Sequence, residues 1–575
     1  SRLGADHPDT LLCTRTLAAT YLEVDKLDLA LPLLEENLRL TRAKLGADHP
    51  DTFLAMNNLA DGYRSAGKMD VALPLVEEAL KLARAKLPVD DPEVLLLMNN
   101  LAASYASAGK LSMALPLLED NFRLTTAKLG VDHPQTLASR QNLGDCYENA
   151  GLLDRALPLL EENYRLARGR LGIDHPDTLR SMRDLASCYK SAGKLDQALA
   201  LWEEYLRLAR GKLGTDHPVV AAALNHLGLF LVDLGRLPEA EDKFREAAAT
   251  NERLYSGSDN ENTANVLSNL ARVLERMGRA ADAERVLRDT LAMRQRLFKG
   301  DNHDVGLTMD RLGELLRARG ALDEAEPFIR GALAMAQRLF PGDHPDVVAG
   351  LNRLALLLGD RGEYEAAERC YRDALAMHLR LSKKHDVEEA VILRNLGVTT
   401  LARGHFKEAE TVLKQALEIQ RRLLPPTSPD LAQTMSAFGY SLLGQATAAA
   451  GAEAEPILHD CLQIRLKLFP DGHPRQWITY NTMSMLGESL VLQGKCADAE
   501  PLLLDAYRAL KDDPRVPPPA PPLRINVQLR LLGNIVHLYE AWHKAEPGKG
   551  YDAKAAEWRA KLDAWPPTPA PEPGK

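Results

Sequence analysis

Apolar residues recur at helical spacing along the chain, in runs that come in pairs. From Asp132 to Leu171 the sequence reads DHPQTLASRQNLGDCYENAGLLDRALPLLEENYRLARGRL. At 100° per residue Leu143, Gly144 and Tyr147 share one face of a first helix. Ala156, Leu160 and Asn163 share one face of a second, predicted over about Leu153 to Leu171. The same places hold Leu59, Ala60, Tyr63, Ala72, Val76 and Ala79 earlier on, and Leu227, Gly228, Leu231, Ala240, Phe244 and Ala247 later. Large residues supply buried area, while Gly or Ala lets the paired helices approach closely.

The punctuation repeats with the pattern. His7, His49, His133, His175 and His217 fall on a 42-residue grid, with Asp91 in the third place. One residue enters near Ser256–Asp259, and the grid resumes at Asn260, Asn302, His344, Asp386 and Ser428; three more enter within Gln445–Ala454, leading to His473. Proline after the turn residue suits the first helical position, where its missing amide costs nothing and its φ is already helical. Asp or Glu next to it, as at Asp51, Glu93 and Asp177, complements the positive end of the helix. Glycines such as Gly67, Gly109, Gly151 and Gly494 close the first helix where a left-handed residue is wanted. Pro158, Pro32, Pro74 and Pro116 fall within the first turn or two of the second helix, where a lost amide matters least.

This small-and-large pattern, with its long helices and GxDHPDT turn, resembles the tetratricopeptide repeat of the kinesin light chain type over about residues 5–511. The resemblance implies an all-α, right-handed α-solenoid of about 13 helix–turn–helix repeats. Twelve repeats are expected at 7–48, 49–90, 91–132, 133–174, 175–216, 217–259, 260–301, 302–343, 344–385, 386–427, 428–472 and 473–511, making a 1–511 array. A Pro-rich loop follows at 512–522. A divergent helix pair at 523–562 should cap the apolar seam, and a disordered Pro-rich tail should occupy 563–575. The run HLYEAWHKAEPGKGYDAKAAEWRAKL is similar to the C-terminal end of large bacterial serine/threonine protein kinases that carry such arrays. The opening SRLGADHPDT lacks Met and reads as one repeat running into the next, so a longer polypeptide is expected.

Composition narrows the functional classes. Apolar residues make up 45% of the chain but aromatics only 5%, and the net charge of −9 is small for 575 residues. Bulk nucleic-acid binding needs a phosphate-neutralising surface, so no nucleic acid is expected. The six cysteines are scattered without a CxxC pair and read as small apolar residues of a reducing cytoplasm. No apolar run approaches the roughly 18–20 residues of a membrane span, so no membrane partner is expected.

Candidate chemistry mostly dissolves into the repeat. The turn histidines lie one per repeat, roughly 20 Å apart, whereas zinc needs its nitrogens about 2 Å from a single ion; they read as turn caps. Gly62 to Lys68 spells most of a phosphate loop, but Met69 holds its Ser/Thr place and a helix precedes it. The pairs Glu35-Glu36, Glu77-Glu78, Glu161-Glu162 and Glu203-Glu204 recur at one position and read as a solvated face. No catalytic motif and no cofactor site emerge, so a non-enzymatic chain is expected.

The informative residues lie on the first helix opposite its packed face, which lines the concave side of such a stack. One column carries Asn57, Asn99, Gln141, Arg183, Asn225, Asp310, Asn352 and Arg394; the next carries Asn58, Asn100, Asn142, His226, Asn269, Arg311, Arg353 and Asn395. Asp61 and Asp145 lie further along. Amides offer donors and acceptors that suit an extended peptide backbone. Equally, each can bond its neighbouring helix and fix stacking; the pattern leaves both open. The resemblance, with NNLA runs at Asn57–Ala60 and Asn99–Ala102, implies peptide capture. The expectation is a monomeric, cytoplasmic interaction module holding a peptide or partner protein, with the arginines favouring acidic residues in it. The alternatives are a substrate-recruiting or regulatory region of a kinase or nucleotide-switch ATPase, and structural self-association.

Overall fold

In a computed structural model, the described residues are 4, 7–23, 26–382, 384–516 and 526–565. Among them the chain forms 26 helices and no strand. The helices run in consecutive pairs, and within each compact half a pair packs on the first helix of the next repeat. Contacts divide the chain into two compact halves, Ser1–Ser258 and Asp259–Lys575.

The turn signals act as the sequence implies. In the fourth repeat the helices are Pro134–Asn149 and Leu153–Leu171. His133 precedes them in an extended conformation, and its Nδ1 accepts the Gln135 amide hydrogen at 3.2 Å. The His49, His175, His217 and His344 rings cap their helices in the same way, and Asp91, Asn260 and Asn302 do so through a side-chain oxygen. Each cap satisfies an amide that the helix itself cannot. The acid just before the turn has a separate task, since it pairs with a basic residue closing the second helix of the repeat that follows. Lys86–Asp48 (2.5 Å), Arg170–Asp132 (2.9 Å) and Arg338–Asp301 (2.7 Å) are examples.

Close approach of paired helices is visible at the small positions. A Cβ on Gly144 would lie 2.6 Å from Leu160, and one on Gly228 would lie 2.8 Å from Phe244. Ala156 and Ala240 are fully buried. Gly151 closes its helix with φ +72°, in the left-handed region.

Two places depart from the simple grid. In the eleventh repeat the left-handed turn residue is Ala446, φ +53°, where other repeats place glycine. The three residues entering after it lengthen the second helix, which runs Ala448–Leu468. In the twelfth repeat the His-Pro signal misleads. His473 accepts the Arg475 amide hydrogen, but the helix starts only at Trp477, after Gln476. Gln476 lies as far before Gly494 as His133 does before Gly151, so three further residues form an extra turn ahead of this helix.

Two further helices follow, Val527–Ala545 and Tyr551–Asp563. The second of these buries Ala555 and Trp558 and leaves most of its remaining face exposed. The Pro-rich loop is described only to Val516; residues 517–525 and 566–575, and with them most of the expected loop and tail, lie outside the described residues.

Candidate functional site: the clefts between repeats

Clefts bounded by the two helices of one repeat and the first helix of the next occur in the array. Three such clefts have matching positions in the repeat. One, of about 400 Å³, lies between repeats one and two, with Leu11, Arg15 and Asn37 among its walls. The second, of about 290 Å³, lies between repeats four and five, with Leu137, Gln141 and Asn163 in those places. The third, of about 130 Å³, lies between repeats eight and nine, with Gly306, Asp310 and Ala332. Its interior is apolar, with Leu307, Leu333, Leu339 and Phe340.

Above these floors the two polar columns meet. The Asn100 amide nitrogen donates to Asn57 Oδ1 at 2.9 Å, and Asn142 donates to Asn99 Oδ1 at 2.6 Å. Gln141 Nε2 donates to Asp184 Oδ2 at 3.0 Å. In the C-terminal half Arg311 reaches the Ser268 carbonyl at 3.5 Å and Arg353 pairs with Asp310 at 2.9 Å. The two residues are 43 apart in each case, so one column joins the next column of the following repeat. A ladder of rungs thus spans consecutive first helices.

The expected site residues fall into three groups. Asn57, Asn99, Asn100, Asn142 and Gln141 are rung members, buried or half-buried. Arg183, Arg353 and Arg394 are ion-paired: Arg183 to Asp184 at 2.7 Å, Arg353 as above, and Arg394 to Asp430 at 2.8 Å. Asp61 is exposed and pairs with Arg64. Asn58 and Asn225 are half-buried, and Asn352 Oδ1 is buried without a hydrogen-bond partner. Asp145 accepts from Gln141 Nε2 at 3.0 Å. Burial first, and then the Asp184 charge, push its carboxyl up to about 7. Burial likewise raises Asp310 to about 6 against the pull of Arg353.

Two participants escape the sequence reading. Asp184 occupies the second column, 42 residues beyond Asn142, so the grid alone points to it. Asn163 reads as a packing position, yet it is 1% exposed and donates to Gln141 Oε1 at 2.7 Å and Ser181 Oγ at 3.1 Å. The paired glutamates also need refinement. Their members are exposed or half-buried, and the first member of three of the four pairs accepts a tyrosine hydroxyl from the next repeat: Tyr63 to Glu35 at 2.7 Å, Tyr105 to Glu77 at 2.5 Å, and Tyr189 to Glu161 at 2.9 Å.

Packed helix pairs in tandem, with no cluster of metal-ligating side chains among the described residues, define a repeat scaffold. The tetratricopeptide repeat model matches residues 10–85, 93–168, 141–211, 219–296, 304–380 and 346–422. The chain belongs to the tetratricopeptide repeat family, whose arrays are protein–protein interaction scaffolds. Among solved structures it is similar to a kinesin light chain protein with nearly identical repeats from Podosopora anserina, at 28% identity over 36% of this chain and 98% of that one, TM-score 0.33. It is also similar to BtubC from P. vanneervenii, at 24% identity over 41% and 93%, TM-score 0.35. The quorum sensor NprR from B. thuringiensis is similar at 13% identity over 64% and 99%, TM-score 0.41. No curated protein matches the chain. No helix of the described residues is long and apolar enough to cross a membrane.

Proposed function

We propose that the first-helix face of the array holds an extended peptide or a partner's segment, without catalysis, in a cytoplasmic and monomeric protein. The observation that supports this reading is the recurrence of one cleft at one register in three places, bordered by the polar columns of the first helices. Such a surface offers side-chain pockets at regular intervals and hydrogen-bonding groups between them. Because it is preformed, little ordering would be lost on the protein's side. The rungs take part in stacking and narrow the role of the amides: a peptide would meet their remaining donors and acceptors rather than free side chains.

Acidic residues in the partner would compete with Asp310 and Asp430 for Arg353 and Arg394. Photo-cross-linkers placed at Leu96 and Leu307, both exposed on this face, should capture a partner from lysate, while linkers at Glu36 and Arg39 on the second helix should not. Equal capture from both faces would refute the groove. Capture unchanged in an Arg353→Glu/Arg394→Glu variant would refute the preference for acidic partners.

A further inference from the structure

The cleft between repeats four and five differs from its equivalents in the balance of donors and acceptors. Gln141 spends both ends of its amide inside the cleft: Nε2 reaches Asp145 Oδ1 and Asp184 Oδ2, each at 3.0 Å, and Oε1 accepts from Asn163. The Asn163 amide nitrogen is fully used by Gln141 and Ser181. What remains is acceptor only. Asn163 Oδ1 is buried with no hydrogen-bond partner on a side chain that lines the cleft, and Asp145 accepts from Gln141 alone. Other clefts do not share this surplus. Between repeats eight and nine the carboxylate has its own guanidinium, Asp310 with Arg353, and between repeats two and three the rung is a neutral pair of amides.

We propose that this cleft is a receptor for a cationic group, an ammonium or guanidinium carried by the partner, seated between Asp145, Asp184 and the Asn163 carbonyl oxygen. This deepens the groove reading and rests on it. A buried unpaired acceptor and a buried carboxyl are each costly to leave unsatisfied, and a multi-donor cation meets both at once. Among the described residues the guanidinium in bonding contact with the pair is that of Arg183, whose Nε donates to Asp184 at 2.7 Å. On the first helix of repeat four, Glu148 adds negative charge beside Asp145. On the first helix of repeat five, Asp177 and Arg180 at the rim lie 3.9 Å apart and largely offset one another. Asn163 and Ala167, from the second helix of repeat four, are neutral. Asp145 consequently holds a proton about half the time near neutral pH, and an entering cation would release that proton to solvent.

The test is ligand-observed NMR titration of the full chain with N-acetyl-lysine amide and N-acetyl-arginine amide, with N-acetyl-norleucine amide as the neutral control. The cationic probes should bind and the neutral one should not. Affinity should rise by up to about tenfold from pH 6 to pH 8, the change in ionised fraction of a group titrating near 7. Asp145→Asn should weaken binding at least fivefold and flatten this pH dependence, and Asp184→Asn should weaken it as well. Equal binding by wild type and both variants, or a flat wild-type profile, would overturn the proposal. A partner still cross-linked at Leu96 but indifferent to Asp145→Asn would sink the cation receptor and leave the groove standing. Amine binding that persists with no partner captured on this face would sink the groove reading alone.

Discussion

The two halves of the array join their repeats with different chemistry. In Ser1–Ser258 two rungs are amide pairs, Asn57–Asn100 and Asn99–Asn142, a third sets the Gln141 amide against Asp184, and outside ties include tyrosine hydroxyls bonded to glutamates. In Asp259–Lys575 a rung is an ion pair, Asp310–Arg353. There the outside ties are salt bridges between consecutive repeats, Arg319–Glu284, Arg361–Glu326 and Arg403–Glu368. In both halves the apolar core fixes where neighbouring helices touch, so any complementary pair suffices there. What changes is sensitivity to salt and pH, since exposed ion pairs are screened and neutral amides are not.

The sharpest challenge to a shared core is overpacking. Ala156→Leu in the N-terminal half and Ala325→Leu in the C-terminal half, both fully buried, should each cost about 1–3 kcal/mol. Hydrogen exchange should report each loss in the altered repeat and its neighbours first. A uniform change along the chain would contradict nearest-neighbour coupling. Next comes the rung itself. Arg353→Met strands the buried Asp310 carboxyl and should cost about 1–3 kcal/mol in urea denaturation. Asn100→Leu should cost no more than about 1 kcal/mol, and a cost equal to that of Arg353→Met would erase the contrast.

The acids sharpen the comparison by pH. A carboxyl raised in the folded state is harder to ionise there than in the unfolded chain, so it favours folding at low pH. That contribution fades as pH climbs from about 4 to about 7 for Asp145 and to about 6 for Asp310. Asp145→Asn should therefore stabilise the protein at pH 8 and leave it unchanged at pH 4. The smallest effect belongs to Ala446→Gly, which relieves a left-handed alanine and should add at most about 1 kcal/mol; a loss of stability would mean that the alanine methyl packs.

Helix pairs, caps and close approaches were legible because each depends on residues within one repeat. His133, Gly144 and Gly151 announce their roles by local spacing alone. The rungs were not legible, because Asn57 meets Asn100 only through the phase between repeats, which no single period contains. His473-Pro474 misled for a related reason. The signal is intact, but Gln476 starts the helix, and only packing against the previous repeat decides between them. Asn163 stayed hidden because an amide on an apolar stripe looks like spacing rather than chemistry.

The one-residue offset of the rungs bears on how such arrays can be edited. A cut and rejoining that removes a whole period, such as residues 133–174, would bring Asn99 opposite Asp184, an amide against a carboxylate that can accept from it. Removing 302–343 would set Ser268 opposite Arg353, whose counterpart elsewhere, Arg311, already reaches that serine's carbonyl. Deleting one residue more or fewer would present the wrong column at the junction it falls within, while later junctions would keep their own spacing. Each rung thus sets the spacing of its own junction: whole-repeat gains and losses keep the pairing, and fractional ones are absorbed between rungs, as at Ser256–Asp259, in the lengthened helix Ala448–Leu468 and in the segment before Trp477.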